Sequence, residues 1–120
     1  MANVNETLEV LGDITGFVGS CIVDSNSGMM LGSHGGGQMD LEVAAAGNTE
    51  VVRAKRATMK SLALDDEIDD ILITLSRQYH LIRPLSNNDG LFIYLVLDKN
   101  RANLAMGRHQ LGQAEKNLVI

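Results

Sequence analysis

Tryptophan is absent from this 120-residue chain, proline occurs once (Pro84) and cysteine once (Cys21). A single cysteine excludes an internal disulfide and any zinc site built on several thiolates. The aromatic residues are Phe17, Tyr79, Phe92 and Tyr94, too few for the base-stacking platforms that hold single-stranded nucleic acid. Basic residues are in the minority, 10 Lys and Arg against 15 Asp and Glu, for a net charge of −5. A surface that neutralises phosphates needs the opposite balance, so nucleic acid is not an expected partner. The longest apolar run, Leu91 to Leu97, falls far short of the ~20 residues a membrane-spanning helix requires. The start of the chain is polar and acidic (Asn3, Asn5, Glu6, Glu9), unlike a signal peptide. These absences predict a cytoplasmic protein without a membrane partner.

What remains is ample for a core. Apolar residues make up 45% of the chain, and its length fits one domain of the usual ~100–150 residues, here residues 1–120. With so few rings, the expected core is Leu, Ile, Val, Met and Ala. Such a core is modest in area, and contact with a second copy would add useful burial.

The chain reads as α-β-β-α-β-β-β-α. Asn3 or Asn5 is placed to cap a short helix with Val4, Leu8 and Leu11 on one stripe, ending at Gly12. Phe17 to Val23 alternates as a strand covered on both sides, with Phe17, Gly19, Cys21 and Val23 on one face. Asp24 to Gly28 carries turn chemistry, Met29 to Gly32 returns as a second strand, and His34-Gly35-Gly36-Gly37 reads as a flexible loop. Asp40 caps a long helix from about Leu41 to Ala63. After the acidic connector Asp65, Asp66, Glu67, Asp69 and Asp70 come three strands: Ile71 to Ser76, Tyr79 to Leu85 and Leu91 to Leu97. Asn87-Asn88-Asp89-Gly90 is the expected turn between the last two. Asn100 is placed to cap a final helix carrying Leu104, Leu111, Ala114 and Leu118.

The long helix is unusual. At 100° per residue, Leu41, Ala45, Val52, Met59 and Ala63 fall on one line, while Ala44, Val51 and Leu62 fall on a second. Asn48 and Lys55 occupy the seam between them. A plain amphipathic helix would carry leucines there, so this one is expected to touch both its own sheet and something else. Ile71, Ile73 and Leu75 form a half-covered strand with the same need for a partner. Asn48, Val51, Lys55, Met59, Leu62, Ile71, Ile73 and Leu75 are therefore the candidate dimer or partner interface. Asn48 and Lys55 would lie at or near the dimer axis and fix helix register, as buried polar groups can. The plainer reading has Lys55 snorkelling and Asn48 partly exposed.

Catalytic constellations are not visible. The run Gly35-Gly36-Gly37 lacks the Gly-Lys-Ser/Thr that a phosphate loop requires, and Asp40 sets a carboxylate at the helix start. His34, His80 and His109 show no metal-ligand spacing. Cys21 lies mid-strand among Ser20, Ile22 and Val23, a setting for core packing rather than a nucleophile. The acidic connector lacks the alternating calcium-loop pattern and reads as a solvated face. Arg53, Lys55, Arg56 and Lys60 make the long helix locally basic, a solvated or partner-facing surface. No catalytic residues, cofactor or metal are predicted.

Ile14-Thr15-Gly16-Phe17-Val18-Gly19, Val23-Asp24 with Gly28, Asp89-Gly90 before an apolar strand, and Ala102-Asn103-Leu104 at the last helix together resemble the roadblock family of dynein light-chain-like domains over essentially the whole chain. Thr15 stands where the family usually has proline. The resemblance implies an α+β fold: a five-stranded antiparallel sheet with one long helix on one face and the two terminal helices on the other. It also implies a homodimer, third strands paired edge to edge and long helices side by side. The implied role is a non-catalytic adaptor, such as a platform or regulator for a small Ras-like GTPase. A small-molecule-sensing α/β module is the alternative, disfavoured by a dense Leu/Val/Ala core without convergent polar groups.

Overall fold

The computed structural model describes residues 1–120. Its elements are α1 (Val4–Gly12), β1 (Phe17–Asp24), β2 (Met30–Gly35), α2 (Leu41–Ser61), β3 (Ile71–Thr74), β4 (Gln78–Leu85), β5 (Asn88–Asp98) and α3 (Leu104–Asn117). The strands form one antiparallel sheet in the order β2-β1-β5-β4-β3. Both the element order and the sheet agree with the expectation. None of the helices is long and apolar enough to cross a membrane.

Alternation along the strands divides the interior into two cores. On β5, Leu91, Ile93, Leu95 and Leu97 join Leu8 and Leu11 of α1 and Leu111 and Ala114 of α3. Phe92, Tyr94 and Val96 point the other way and join Leu41, Ala45 and Val52 of α2. The central strand is apolar on both faces because helices cover both. Against the expectation of an aliphatic core, Tyr94 and Phe92 are the largest fully buried side chains. The buried face of α2 offers mainly small or medium side chains (Ala45, Thr49, Val52), and the two rings supply the missing volume.

Several local expectations need correction. Phe17 packs in the α1/α3 core and Val18 in the α2 core, the reverse of a strict alternation with Cys21 and Val23. The β1–β5 register runs Phe17↔Leu97 and then Gly19↔Val96; this bulge inserts one residue and reverses the parity of everything before it. Beside the bulge, a Cβ on Gly19 would lie 2.7 Å from the Gly36 backbone, while the Gly36 N–H donates to the Val18 carbonyl at 2.8 Å. Two backbones meet there at a distance that only glycine allows.

His34 and Gly35 are strand, not flexible loop: they pair with Ser20 and Gly19, and the His34 ring lies 5.4 Å from that of Phe17. The turn between β4 and β5 falls at Ser86-Asn87, because Leu85 pairs with Asn88 after a register shift at Pro84/Leu85. α2 stops at Ser61, where Leu62 caps it and Ala63 takes a positive φ of 55°. β3 ends at Thr74, and the Leu75 N–H instead closes a turn onto the Gln78 carbonyl at 2.9 Å.

Caps explain the helix starts. Asn3 and Glu6 form a reciprocal capping box on α1, which settles the choice between Asn3 and Asn5. Asn103 caps α3 by accepting the Met106 N–H, while the backbone N–H of Asn100, the expected cap, is held by the Asp98 side chain one turn earlier. The two ends of the chain meet: Ala2 bridges Leu118, with its N–H donating to Asn117 O and its carbonyl accepting from Val119 N–H.

Candidate interaction face

α2 lies across β1 and touches β2, displaced from the other end of the sheet. The α2-side face of β4 and β3 is left half-covered: Gln78, His80, Ile71 and Ile73 are all only partly buried. Cross-strand register places Ile71 beside Ile82 and Ile73 beside His80. β3 is also the last strand of the sheet, so its outer backbone groups have no ladder partner. Such an edge is a template for pairing.

The flank of α2 that looks over this uncovered half-face carries Ala44, Asn48, Val51, Lys55 and Met59, which fall within one sector of the helical wheel. Asn48, Val51 and Met59 are half-buried and Lys55 is exposed. Between that flank and β3 runs an open groove of about 490 Å³, lined by Val51, Lys55, Met59, Ile68 and Ile71 among others. Its far wall is the connector, whose Leu64 and Ile68 sequence reasoning passed over. A second groove of about 690 Å³ lies beyond the connector, walled by Arg56, Lys60, Arg83 and Asn88.

Of the eight predicted interface residues, the structure brings Val51, Lys55, Met59 and Ile71 to one groove. Asn48 lies on the same α2 flank and Ile73 continues the β3 wall. Leu62 and Leu75 lie outside that groove. Leu62 is the C-cap rather than a helix residue and is 62% exposed; Leu75 lies past the end of β3 and is 43% exposed.

A polar chain crosses the face. The amide of Asn48 donates to the Ala44 carbonyl at 2.8 Å. The Tyr94 hydroxyl lies 2.9 Å from His80 Nδ1, and His80 Nε2 lies 2.9 Å from Gln78 Oε1. An amide oxygen only accepts, so Nε2 carries the proton and Nδ1 accepts from the tyrosine. Burial pushes the His80 imidazole below its ordinary range. Burial likewise raises the Tyr94 hydroxyl, against the opposing pull of the Asn48 amide. Sequence reasoning treated His80 as an ordinary histidine. Its even-numbered place opposite the Leu81 face was the available signal.

The charged segments are more committed than their composition implied. Arg53 donates to the Asn26 carbonyl at 2.6 Å and Arg56 to the Asp89 carbonyl at 2.8 Å, pinning α2 to the β1–β2 turn and to the start of β5. In the connector, Asp65, Asp66, Glu67 and Asp69 face solvent, but Asp70 accepts two bonds from Arg108 at 2.8 and 3.1 Å. Gly35, Gly36 and Gly37 all have positive φ, the Gly36 N–H is spent on Val18, and Asp40 accepts the Glu42 and Val43 N–H groups. The donors that a phosphate would need at this helix start are already taken. Cys21 is buried, and desolvation pushes its thiol up to about 12, which suits packing and not nucleophilic attack.

No protein-family model and no curated protein sequence matches the chain. Solved structures do. Myxococcus xanthus MglB superposes with a TM-score of 0.83 at 17% identity, over 94% of this chain and 82% of that one. A Roadblock/LC7 domain from Streptomyces avermitilis gives 0.80 at 9% identity, over 96% and 93%. An MglB with tetrameric arrangement gives 0.70 at 15% identity, over 94% and 88%. Likeness at such low identity speaks to architecture, and it agrees with the resemblance read from the residues: this chain has the fold of the Roadblock/LC7 domain.

Proposed function

We propose that the protein is a non-catalytic, cytoplasmic, homodimeric adaptor or regulator. The observation that carries this reading is the unfinished α2 side of the sheet: Ile71 and Ile73 stand on an unpaired edge strand, facing a helix flank of Asn48, Val51, Lys55 and Met59. A second copy joined edge to edge would extend the ladder and lay its own long helix over the open half-face. The tetrameric arrangement named for one MglB structure supports self-association of this fold. A small Ras-like GTPase as the regulated partner follows from the family resemblance, and the exposed back of α2 is the surface available to it. The rival reading, a small-molecule sensor, draws less support, because both grooves are open and lined by a mixture of charges.

Light scattering tests the dimer: the expected mass is twice the 13.0 kDa of one chain, and Ile73→Lys should yield a folded monomer. A wild-type monomer at tens of micromolar would overturn the reading. Pull-down with the dimer should retain a GTPase in one nucleotide state, and retention that ignores the nucleotide would remove the regulatory role.

A further inference from the structure

We propose that His80 makes assembly through the half-open α2 face pH-sensitive, so that acidification separates the two copies. This inference rests on the dimer reading above. Its basis is the geometry of the polar chain Tyr94–His80–Gln78. His80 is half-buried in the monomer and directly neighbours Ile73 of the edge strand, so a second copy covering Ile71 and Ile73 would remove its remaining water. The hydrogen bonds of the chain have a fixed direction. Gln78 Oε1 takes the Nε2 proton, and the tyrosine proton goes to Nδ1. A proton added at Nδ1 would meet the tyrosine proton head-on. Relief requires the Tyr94 hydroxyl to turn away from the ring, yet Tyr94 is only 2% exposed and His80 is the hydrogen-bond partner of its hydroxyl. The neutral ring satisfies every member; the charged ring leaves two donors opposed in a site about to be dehydrated.

Compensation from neighbours is limited. The titratable or charged groups on the same side are Tyr94 and Asp98 of β5, Cys21 of β1, Lys55 of α2 and, from the connector, Asp66, Glu67, Asp69 and Asp70; β3 contributes only Ile71 and Ile73. The Asp98 carboxylate is engaged by the Asn100 N–H at 3.0 Å, Asp70 is held by Arg108 and Arg83, and Asp66, Glu67 and Asp69 face solvent. Lys55 has the sign that discourages a second cation. Protonation is thus tolerated in the open monomer, where water reaches the ring, and opposed in the closed dimer.

Sedimentation velocity of the wild type and of His80→Gln, between about pH 7.5 and pH 5.0, tests this. The dissociation constant of the wild type should rise about tenfold or more on acidification, since each of two copies must shed a proton to associate. His80→Gln should stay nearly flat, and Tyr94→Phe, which removes the opposing hydroxyl proton, should reduce the slope. A wild-type dimer whose constant does not move with pH, or a His80→Gln dimer with the wild-type slope, overturns the switch and leaves the dimer standing. A wild type monomeric at pH 7.5 overturns both. Circular dichroism across the same range confirms that dissociation, not unfolding, is being read.

Discussion

The carboxylate of Glu115 accepts the Nε–H of Arg83 at 3.0 Å, and with it α3 is fastened to β4. The same carboxylate accepts the Ser86 N–H at 3.2 Å and the Ser86 hydroxyl at 2.9 Å, while Arg83 and Arg108 share Asp70 at the end of the connector. Four charged side chains and a turn serine thus tie the last helix, the fourth strand and the approach to β3 into one unit. Asp70 precedes Ile71 directly, so this network sets where the edge strand begins.

Replacing Glu115 with Gln should cost about 1–3 kcal/mol, because it leaves the Arg83 guanidinium only the Asp70 carboxylate at 4.0 Å and weakens two bonds from Ser86. Burial alone would raise the Glu115 carboxyl, but the Ser86 and Arg83 bonds outweigh it and hold the group below its usual value of 4.5. A carboxyl depressed in the folded state stabilises the fold above its unfolded pKa, and that stability is lost as the pH falls below about 4.5 toward the folded value. Urea titrations at pH 7 and below pH 4 should therefore show the wild type losing its advantage over Glu115→Gln in acid. An advantage that does not change with pH would contradict the assignment.

Thr7 is 1% exposed, and its hydroxyl has no hydrogen-bond partner. Thr7→Val swaps the orphan for a methyl of nearly equal shape and should be neutral or stabilising by up to about 1 kcal/mol. Thermal melting decides this; a clear loss of stability would mean that the hydroxyl is satisfied after all.

At the crossing of β1 with the glycine run, Gly19→Ala should cost about 1–3 kcal/mol, since its methyl would enter the Gly36 backbone at 2.7 Å. Gly37→Ala is the internal comparison: nothing lies within 4 Å of its Cβ, so only the positive φ is penalised, at about 1 kcal/mol. Denaturant midpoints that reverse this order would place the close approach elsewhere.

The Cys21 thiol, wholly buried and pushed up to about 12, should resist a thiol-specific reagent at pH 8 in the native protein and react fully in denaturant. Rapid labelling of the folded chain would show that the α2 side opens readily.

Much of the fold was legible because long periodic segments declare themselves. The stripe of α1, the doubly apolar run of β5 and the cap at Asp40 each had one physical reading. The misses have two causes. The bulge at Val18 depends on β5, a strand far along the chain, while the shift at Pro84/Leu85 is set inside the β4–β5 hairpin; no alternation along a single strand announces either. The α2 flank was readable from the wheel, where Asn48 and Lys55 break the pattern. The role of His80 was not, because its partner Tyr94 comes from a different strand, and only the folded sheet brings the two together.

The meeting of Ala2 with Leu118 has a practical sequel. Leu118 belongs to the core beneath α1 and α3, so both ends emerge on the side away from α2. A fluorophore or fused module attached at either end would project from the back of the sheet, leaving the groove unobstructed. Ends this close also suit a circularly permuted chain, closed by a short linker and reopened at the Ser86-Asn87 turn.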